Sequence, residues 1–249
     1  MTRPLFPALL FIALFSAAQA DTALIAVATN FVPVATALAP RFTAASGHEV
    51  TITGGSTGKL YAQIAESAPF TVFLSADTAT PTRLITAGLA VPDTQFTYAT
   101  GALVLWSADP ARIGPDGAVA LADDTLRFVA IANPDLAPYG LAAKEALTAL
   151  GLWDTLSPKI VMGQNIGAAF ALTSSGAAEL GFVARSAVID PAVGGSTWVV
   201  PPDLYAPIHQ DAVLLTQGAA NPAAIAFLDY LKSDEARALI TASGYTVGP

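Results

Sequence analysis

The chain has 249 residues, enough for one large domain or two smaller ones with a full core. Hydrophobic residues make up 53% of it and charged residues 12%, which excludes a disordered chain, and the formal charge of −8 disfavours nucleic acid and anionic lipid as partners. The absence of cysteine rules out disulfides, thiolate-bound zinc, thiol catalysis and a lipid-modified cysteine.

Residues 1–20 read as a secretory signal peptide. Arg3 supplies the positive start, Leu5 to Ala17 is almost continuously apolar, and Ala18-Gln19-Ala20 offers the small residues that signal peptidase reads. The apolar run is too short for a membrane span. Cleavage is expected between Ala20 and Asp21, with the mature protein free in the periplasm as a monomer. Removing the segment takes Arg3 from 11 basic residues, against 19 acidic, and leaves a net charge of −9. An anion bound by this protein must be held by a local device, against the global field.

The mature chain alternates strand-like and helix-like stretches, which predicts an α/β fold. Ala23 to Ala28 is a short apolar strand closed by Thr29-Asn30, and Val34, Leu38, Phe42 and Ala45 then recur at helical spacing up to Gly47. Pro40 is expected to kink or interrupt that helix. A strand over Glu49 to Thr53 leads into Gly54-Gly55-Ser56-Thr57-Gly58-Lys59 and a helix to about Ser67. Strand Thr71 to Ser75, helix Pro81 to Ala87 and strand Ala102 to Trp106 follow. Then come strand Phe128 to Ala132, a turn at Ala137-Pro138-Tyr139-Gly140, and a helix over Leu141 to Leu150. Lys159 to Val161 reads as a strand, and Gln164-Asn165-Ile166-Gly167 opens a helix to about Ser174. Strands Leu180 to Val183, Thr197 to Val200 and Ala212 to Thr216 precede two closing helices, Asn221 to Leu231 and Ser233 to Ser243.

Four times an apolar strand ends in a polar or glycine-containing turn that opens a helix: at Thr29-Asn30, Ser56-Thr57-Gly58, Pro138-Tyr139-Gly140 and Asn165-Ile166-Gly167. Ligands of open α/β sheets sit outside the carboxyl ends of the strands, where such turns lie. Two turns come from each half of the chain, which predicts two lobes with a cleft between them.

Several chemistries compete for Gly54 to Lys59. A phosphate loop needs glycine where Thr53 stands and a hydroxyl residue where Leu60 stands, so that pattern fails twice. A serine hydrolase would use Ser56 in Gly-x-Ser-x-Gly with His209 as base and Asp190 or Asp203 as acid, but the elbow comes early and lacks an oxyanion stretch before it. His48 and His209 are isolated and have no metal-ligand spacing, while Asp77 and Asp93 read as turn and cap residues. The remaining reading uses all four turns. Their helix starts present N–H groups, and Thr29, Asn30, Ser56, Thr57 and Tyr139 add neutral donors. Such a site suits a compact, fully ionised oxyanion that only accepts hydrogen bonds. Lys59 is expected to lie outside it. A receptor for amino acids or peptides would need charged partners for both ends of a zwitterion, which these turns lack.

The chain resembles the periplasmic molybdate-binding proteins that feed ABC transporters. The likeness is carried by Ala28-Thr29-Asn30-Phe31, Gly55-Ser56-Thr57-Gly58, Phe73-Leu74-Ser75-Ala76-Asp77, Ala137-Pro138-Tyr139-Gly140-Leu141-Ala142, Leu150-Gly151-Leu152-Trp153-Asp154, Asn165-Ile166-Gly167 and Gly181-Phe182-Val183. It implies a periplasmic binding protein type II fold, with residues 21–100 plus 211–249 in one lobe and 101–210 in the other, joined by two crossing strands. It also implies a non-enzymatic receptor for molybdate and tungstate that delivers to an inner-membrane permease, with no cofactor and no direct metal ligand. By motif position the oxyanion donors fall on Thr29 or Asn30, Ser56, Thr57, Tyr139 and the backbone N–H of Ile166. Some members carry a ligand-contacting tyrosine where Ala184 stands, so Ala184 is expected to make no side-chain contact and the Tyr139 hydroxyl to replace it. Thr71 stands where members often have a carboxylate or amide.

Overall fold

The computed structural model describes residues 20–248; the expected signal peptide lies outside these, apart from Ala20. The chain runs through β1 (Thr22–Ala28), a 3-10 turn (Thr29–Phe31), α1 (Val32–Ser46), β2 (Glu49–Gly55), α2 (Thr57–Ala65), β3 (Val72–Leu74), α3 (Ala79–Thr86), β4 (Phe96–Gly101) and β5 (Leu103–Ser107). It continues through α4 (Gly117–Leu121), β6 (Val129–Ala132), α5 (Pro138–Ala149), α6 (Trp153–Leu156), β7 (Ile160–Gly163), α7 (Ile166–Ser174), β8 (Leu180–Ala184), β9 (Ser196–Val199), β10 (Ile208–Leu214), α8 (Pro222–Tyr230) and α9 (Asp234–Ala242).

The strands form two five-stranded sheets, ordered β2-β1-β3-β10-β4 and β7-β6-β8-β5-β9. In each sheet one strand, β1 or β6, is flanked by two parallel neighbours, and antiparallel strands complete the far side. The chain crosses between the sheets twice, from β4 to β5 and from β9 to β10. Parallel strands covered by helices on both faces read as apolar runs, which explains Ala23, Ile25, Ala26 and Val27 in β1 and Val129 to Ala132 in β6, all fully buried.

Each sheet has its own core. In the first, α1 buries Val34, Ala35, Leu38 and Phe42, and Phe42 meets Phe227 edge-on with ring centroids 5.3 Å apart. In the second, Leu103, Leu105, Leu180 and Phe182 pack against α5 through Ala142, Ala143, Ala146 and Leu147.

Pro40 neither ends nor interrupts α1. It lies on the exposed face, where water can satisfy the carbonyl its missing N–H leaves free, while the buried stripe holds the helix together. Thr71 belongs to the sheet: its hydroxyl donates to the carbonyl of Leu24 at 3.0 Å, beside its own backbone bond to the same oxygen. The short helices α4 and α6 and the strand β4 are additions to the elements expected from sequence. In β4, one step of β10 from Gln210 to Asp211 corresponds to two steps from Ala99 to Thr97, so Tyr98 is bulged. A bulge breaks the period-two alternation by which a strand is recognised.

Candidate oxyanion site

Four helix starts converge on one small cavity. Its lining consists of Ala28, Thr29, Asn30, Ser56, Thr57, Ala76, Ala137, Pro138, Tyr139, Asn165 and Ile166, closely packed around a cavity of about 10 Å³. The first six come from turns of the β1 sheet and the last five from turns of the β6 sheet, so the cavity lies where the two halves meet. No charged side chain is among these residues, and Lys59 is exposed to solvent. Net negative charge is therefore opposed here only by N–H groups, hydroxyls and the positive ends of helix dipoles.

Local sequence explains each start. Ser56 is extended and caps α2, its Oγ accepting from the Lys59 N–H at 3.3 Å, which leaves the hydroxyl proton free for another acceptor. Asn165 caps α7 in the same way through Ala168 at 2.9 Å, and the N–H groups of Ile166 and Gly167 lie in that first turn. Ala137 precedes α5 with no side-chain cap, and Pro138 has no N–H, so Tyr139 is the first residue of α5 with a backbone donor to offer. Thr29 and Asn30 open the 3-10 turn after β1. The Thr29 hydroxyl oxygen is buried without a hydrogen-bond partner. A buried hydroxyl in that state carries a desolvation cost, which an oxyanion in the cavity would remove.

The six residues expected at the site all line this cavity, but the side chains of Asn30 and Tyr139 are engaged elsewhere. The Asn30 side chain faces away, its Nδ2 donating to Gln210 Oε1 at 2.8 Å and to the Tyr245 hydroxyl at 3.1 Å. Asn30 is left with its backbone N–H. The Tyr139 hydroxyl accepts from Gln210 Nε2 at 3.2 Å and lies against Gly101, where a Cβ would collide with it. Neither Gln210 nor Gly101 lines the cavity. The phenol thus stands at the crossing strands, and Tyr139 faces the cavity with its backbone. Thr57 Oγ1 accepts from the Ala76 N–H at 3.1 Å, so this hydroxyl also braces the turn after β3.

Ala184 lines a separate chamber of about 430 Å³ that shares Thr29, Asn30 and Ile166 with the small cavity and adds Phe170 and Ser186. A tyrosine at that position would project into space that this chain leaves open. Burial pushes the Tyr139 and Tyr98 phenols well above the ordinary range, and Tyr245 to about 12. All three stay neutral at physiological pH.

The serine hydrolase constellation is not assembled. The His209 ring is exposed, lies 3.0 Å from Thr100 Oγ1, and faces a different cavity from the one Ser56 lines. Asp190 caps a turn through Ala192, and Asp203 sits in an exposed turn. His48 Nδ1 accepts from the Asp21 N–H, and Asp77 caps the start of α3 through Thr80. Among the described residues no cluster of three or more histidine, cysteine or carboxylate side chains could hold a metal ion. Sequence reading missed Gln210, Tyr98, Tyr245 and Ser186, the residues behind the cavity walls. Nothing in their local sequence marks them, because each is defined by partners far along the chain: Gln210 by Asn30 and Tyr139, Tyr245 by Asn30 and Ser186.

Fold and site together define a two-lobed solute receptor, and residues 23–246 match the model of the bacterial extracellular solute-binding proteins. The chain belongs to that family. It is 50% identical over 228 residues to the molybdate-binding protein ModA of Rhodobacter capsulatus, covering 92% of this chain and 89% of that protein. It is 48% identical over 231 residues to the molybdate-binding protein ModA of Azotobacter vinelandii, covering 92% and 91%. The solved periplasmic molybdate-binding protein of A. vinelandii superimposes with a TM-score of 0.88 at 43% identity, over 91% of this chain and all of that one. The sulfate-binding protein SubI of Mycobacterium tuberculosis has a TM-score of 0.75 at 16% identity, a likeness of fold alone.

Proposed function

We propose that this protein is a periplasmic receptor that captures molybdate, and tungstate with it, and delivers the anion to an ABC transporter permease in the inner membrane. The observation that carries the reading is the cavity between the lobes, lined by no charged side chain, in which four helix starts meet around a buried, unpartnered Thr29 hydroxyl. Relatives named as molybdate-binding proteins, about half identical to this chain over nearly its whole length, support the choice of anion. Signal peptide cleavage after Ala20 and a monomeric mature protein complete the reading.

The mechanism follows from the geometry. In water a dianion is stabilised by solvent dipoles that must reorganise around it. The cavity substitutes fixed dipoles: hydroxyls of Thr29, Ser56 and Thr57, and backbone N–H groups of Asn30, Tyr139 and Ile166. Hydrogen bonds to a charged acceptor contribute about 1.5–3 kcal/mol each, and the helix ends add to them. A lining with more donors than free acceptors favours a fully ionised oxyanion over an acid that keeps a proton, because the hydroxyls of Ser56 and Thr57 already accept from the Lys59 and Ala76 N–H groups. Sulfate, with similar charge but a smaller frame, leaves some donors unmatched, and each unmatched donor costs about 1–3 kcal/mol.

Isothermal calorimetry of the purified mature protein tests the reading. Molybdate and tungstate should bind tightly at one site per chain, with little heat from sulfate or phosphate. Silence with molybdate refutes it.

A further inference from the structure

Behind the cavity walls lies a buried polar network that the oxyanion reading does not use. Its centre is Gln210 on β10, fully buried at one of the two crossings between the lobes. Its Oε1 accepts from Asn30 Nδ2 at 2.8 Å and from the Tyr98 hydroxyl at 3.1 Å, and its Nε2 donates to the Tyr139 hydroxyl at 3.2 Å. Asn30 lines the cavity from the β1 sheet and Tyr139 from the β6 sheet. One amide on a crossing strand therefore holds one cavity residue from each lobe.

Three further features show that the arrangement is built. The bulge opposite Gln210 places Tyr98 against it, as bulges do when they re-aim a side chain. The Phe31 ring packs edge-on against Tyr98 and Tyr245, with centroids 4.7 and 5.5 Å apart, which holds both phenols in place. Gly101 leaves room for the Tyr139 hydroxyl that any side chain would occupy. A second bond across the lobes runs beside the first: Ser186 Oγ lies 2.9 Å from the Tyr245 hydroxyl, which donates to the Asn30 carbonyl at 2.8 Å.

We propose that Gln210 is a positioning residue that couples lobe closure to assembly of the anion site, by holding Asn30 and Tyr139 in register only when the lobes meet. This rests on the oxyanion reading above. Gln210 makes no contact with the anion. When the lobes part, the bond between Gln210 and Tyr139 must break, and the first turn of α5 is released from the hinge. Gln210 then sets the lifetime of the closed state, and so the rate at which the anion leaves.

The experiment measures molybdate association and dissociation rates, and the melting temperature without anion, for the wild type, Tyr139→Phe, Gln210→Leu and the double variant. Tyr139→Phe keeps the ring and removes only the acceptor, so it serves even if Gln210→Leu fails to fold. Dissociation should quicken about tenfold in Tyr139→Phe, with association unchanged. The double variant should release no faster than Gln210→Leu alone, because both remove the same bond. The melting temperature of unliganded Tyr139→Phe should stay near that of the wild type. A wild-type release rate in Tyr139→Phe overturns the proposal. So does additivity in the double variant, which would give the Tyr139 hydroxyl a direct role toward the anion. A wild type silent to molybdate removes the oxyanion reading itself, an outcome distinct from binding with unaltered release.

Discussion

Gly58 donates its backbone N–H to the carbonyl oxygen of Leu136 at 2.9 Å. This bond ties the first turn of α2 to the loop before α5, and so joins two of the four helix starts across the cleft. A Cβ on Gly58 would lie 3.2 Å from both the Cα and the carbonyl oxygen of Leu136. Gly58→Val should therefore obstruct approach of the lobes, at a cost of about 1–3 kcal/mol in molybdate affinity. The unliganded fold should be largely unaffected, since the open form leaves the position free. Calorimetry paired with thermal melts checks this; an unaltered affinity would mean that the lobes do not meet at this point when the anion binds.

Thr29 offers the cleanest test of a hydroxyl donor. Its oxygen is buried and unpartnered, so Thr29→Val removes a donor that nothing in the protein uses. Affinity should fall by about 1–3 kcal/mol while the melting temperature without anion holds or rises. Thr57→Ala should lower affinity by a similar amount but also lower stability, because Ala76 loses its acceptor. Thr57→Asp should bind worse still through like-charge repulsion. A loss of unliganded stability in Thr29→Val would give its hydroxyl a structural role instead.

The absence of lysine, arginine and histidine from the lining predicts an unusual salt response. A cationic site loses association rate as salt rises, because screening removes attraction. Here the protein's net charge repels the anion, so association should quicken slightly from about 0.01 M to about 0.15 M ionic strength. Stopped-flow measurement across that range checks the sign; a rate that falls with salt would place a cation at the entrance.

The buried phenols set the pH response. Tyr98, Tyr139 and Tyr245 are all raised by burial, Tyr245 to about 12. An unfolded tyrosine loses its proton near pH 10, so above about that pH the unfolded chain releases protons that the folded chain retains. The stabilisation is complete below about pH 10 and declines as pH rises toward the folded values. Tyr245→Phe should flatten that alkaline slope of melting temperature. Between about pH 6 and about pH 9 affinity should stay level, since none of these phenols ionises there. A step in affinity within that range would require a titrating group at the site.

Much of this was legible in the residues. The strand–turn–helix pattern located all four helix starts, because apolar runs followed by Thr29-Asn30, Ser56-Thr57, Pro138 or Asn165 state local preferences that the fold does not overrule. The identity of the donors was less legible. Asn30 and Tyr139 are good donors by residue type, yet their side chains are taken by Gln210, about 180 and 71 residues distant in sequence. The strand β4 was missed because its bulge at Tyr98 breaks the alternation. That same bulge brings Tyr98 to Gln210, so the residue that hid the strand is part of the apparatus behind the site.

By itself the sequence determined an α/β protein with no thiol chemistry, a net negative charge, an N-terminal stretch that reads as an export signal, and four capped or glycine-marked turns rich in neutral donors. These follow from composition and from contacts between near neighbours along the chain. Only the tertiary structure decided that the turns share one cavity, that Ser56 and His209 face different ones, and that the side chains of Asn30 and Tyr139 are taken by distant partners. The reason is physical. A backbone N–H at a helix start is left free by local geometry, whereas the direction of a buried amide or phenol is set by whichever distant partner satisfies it.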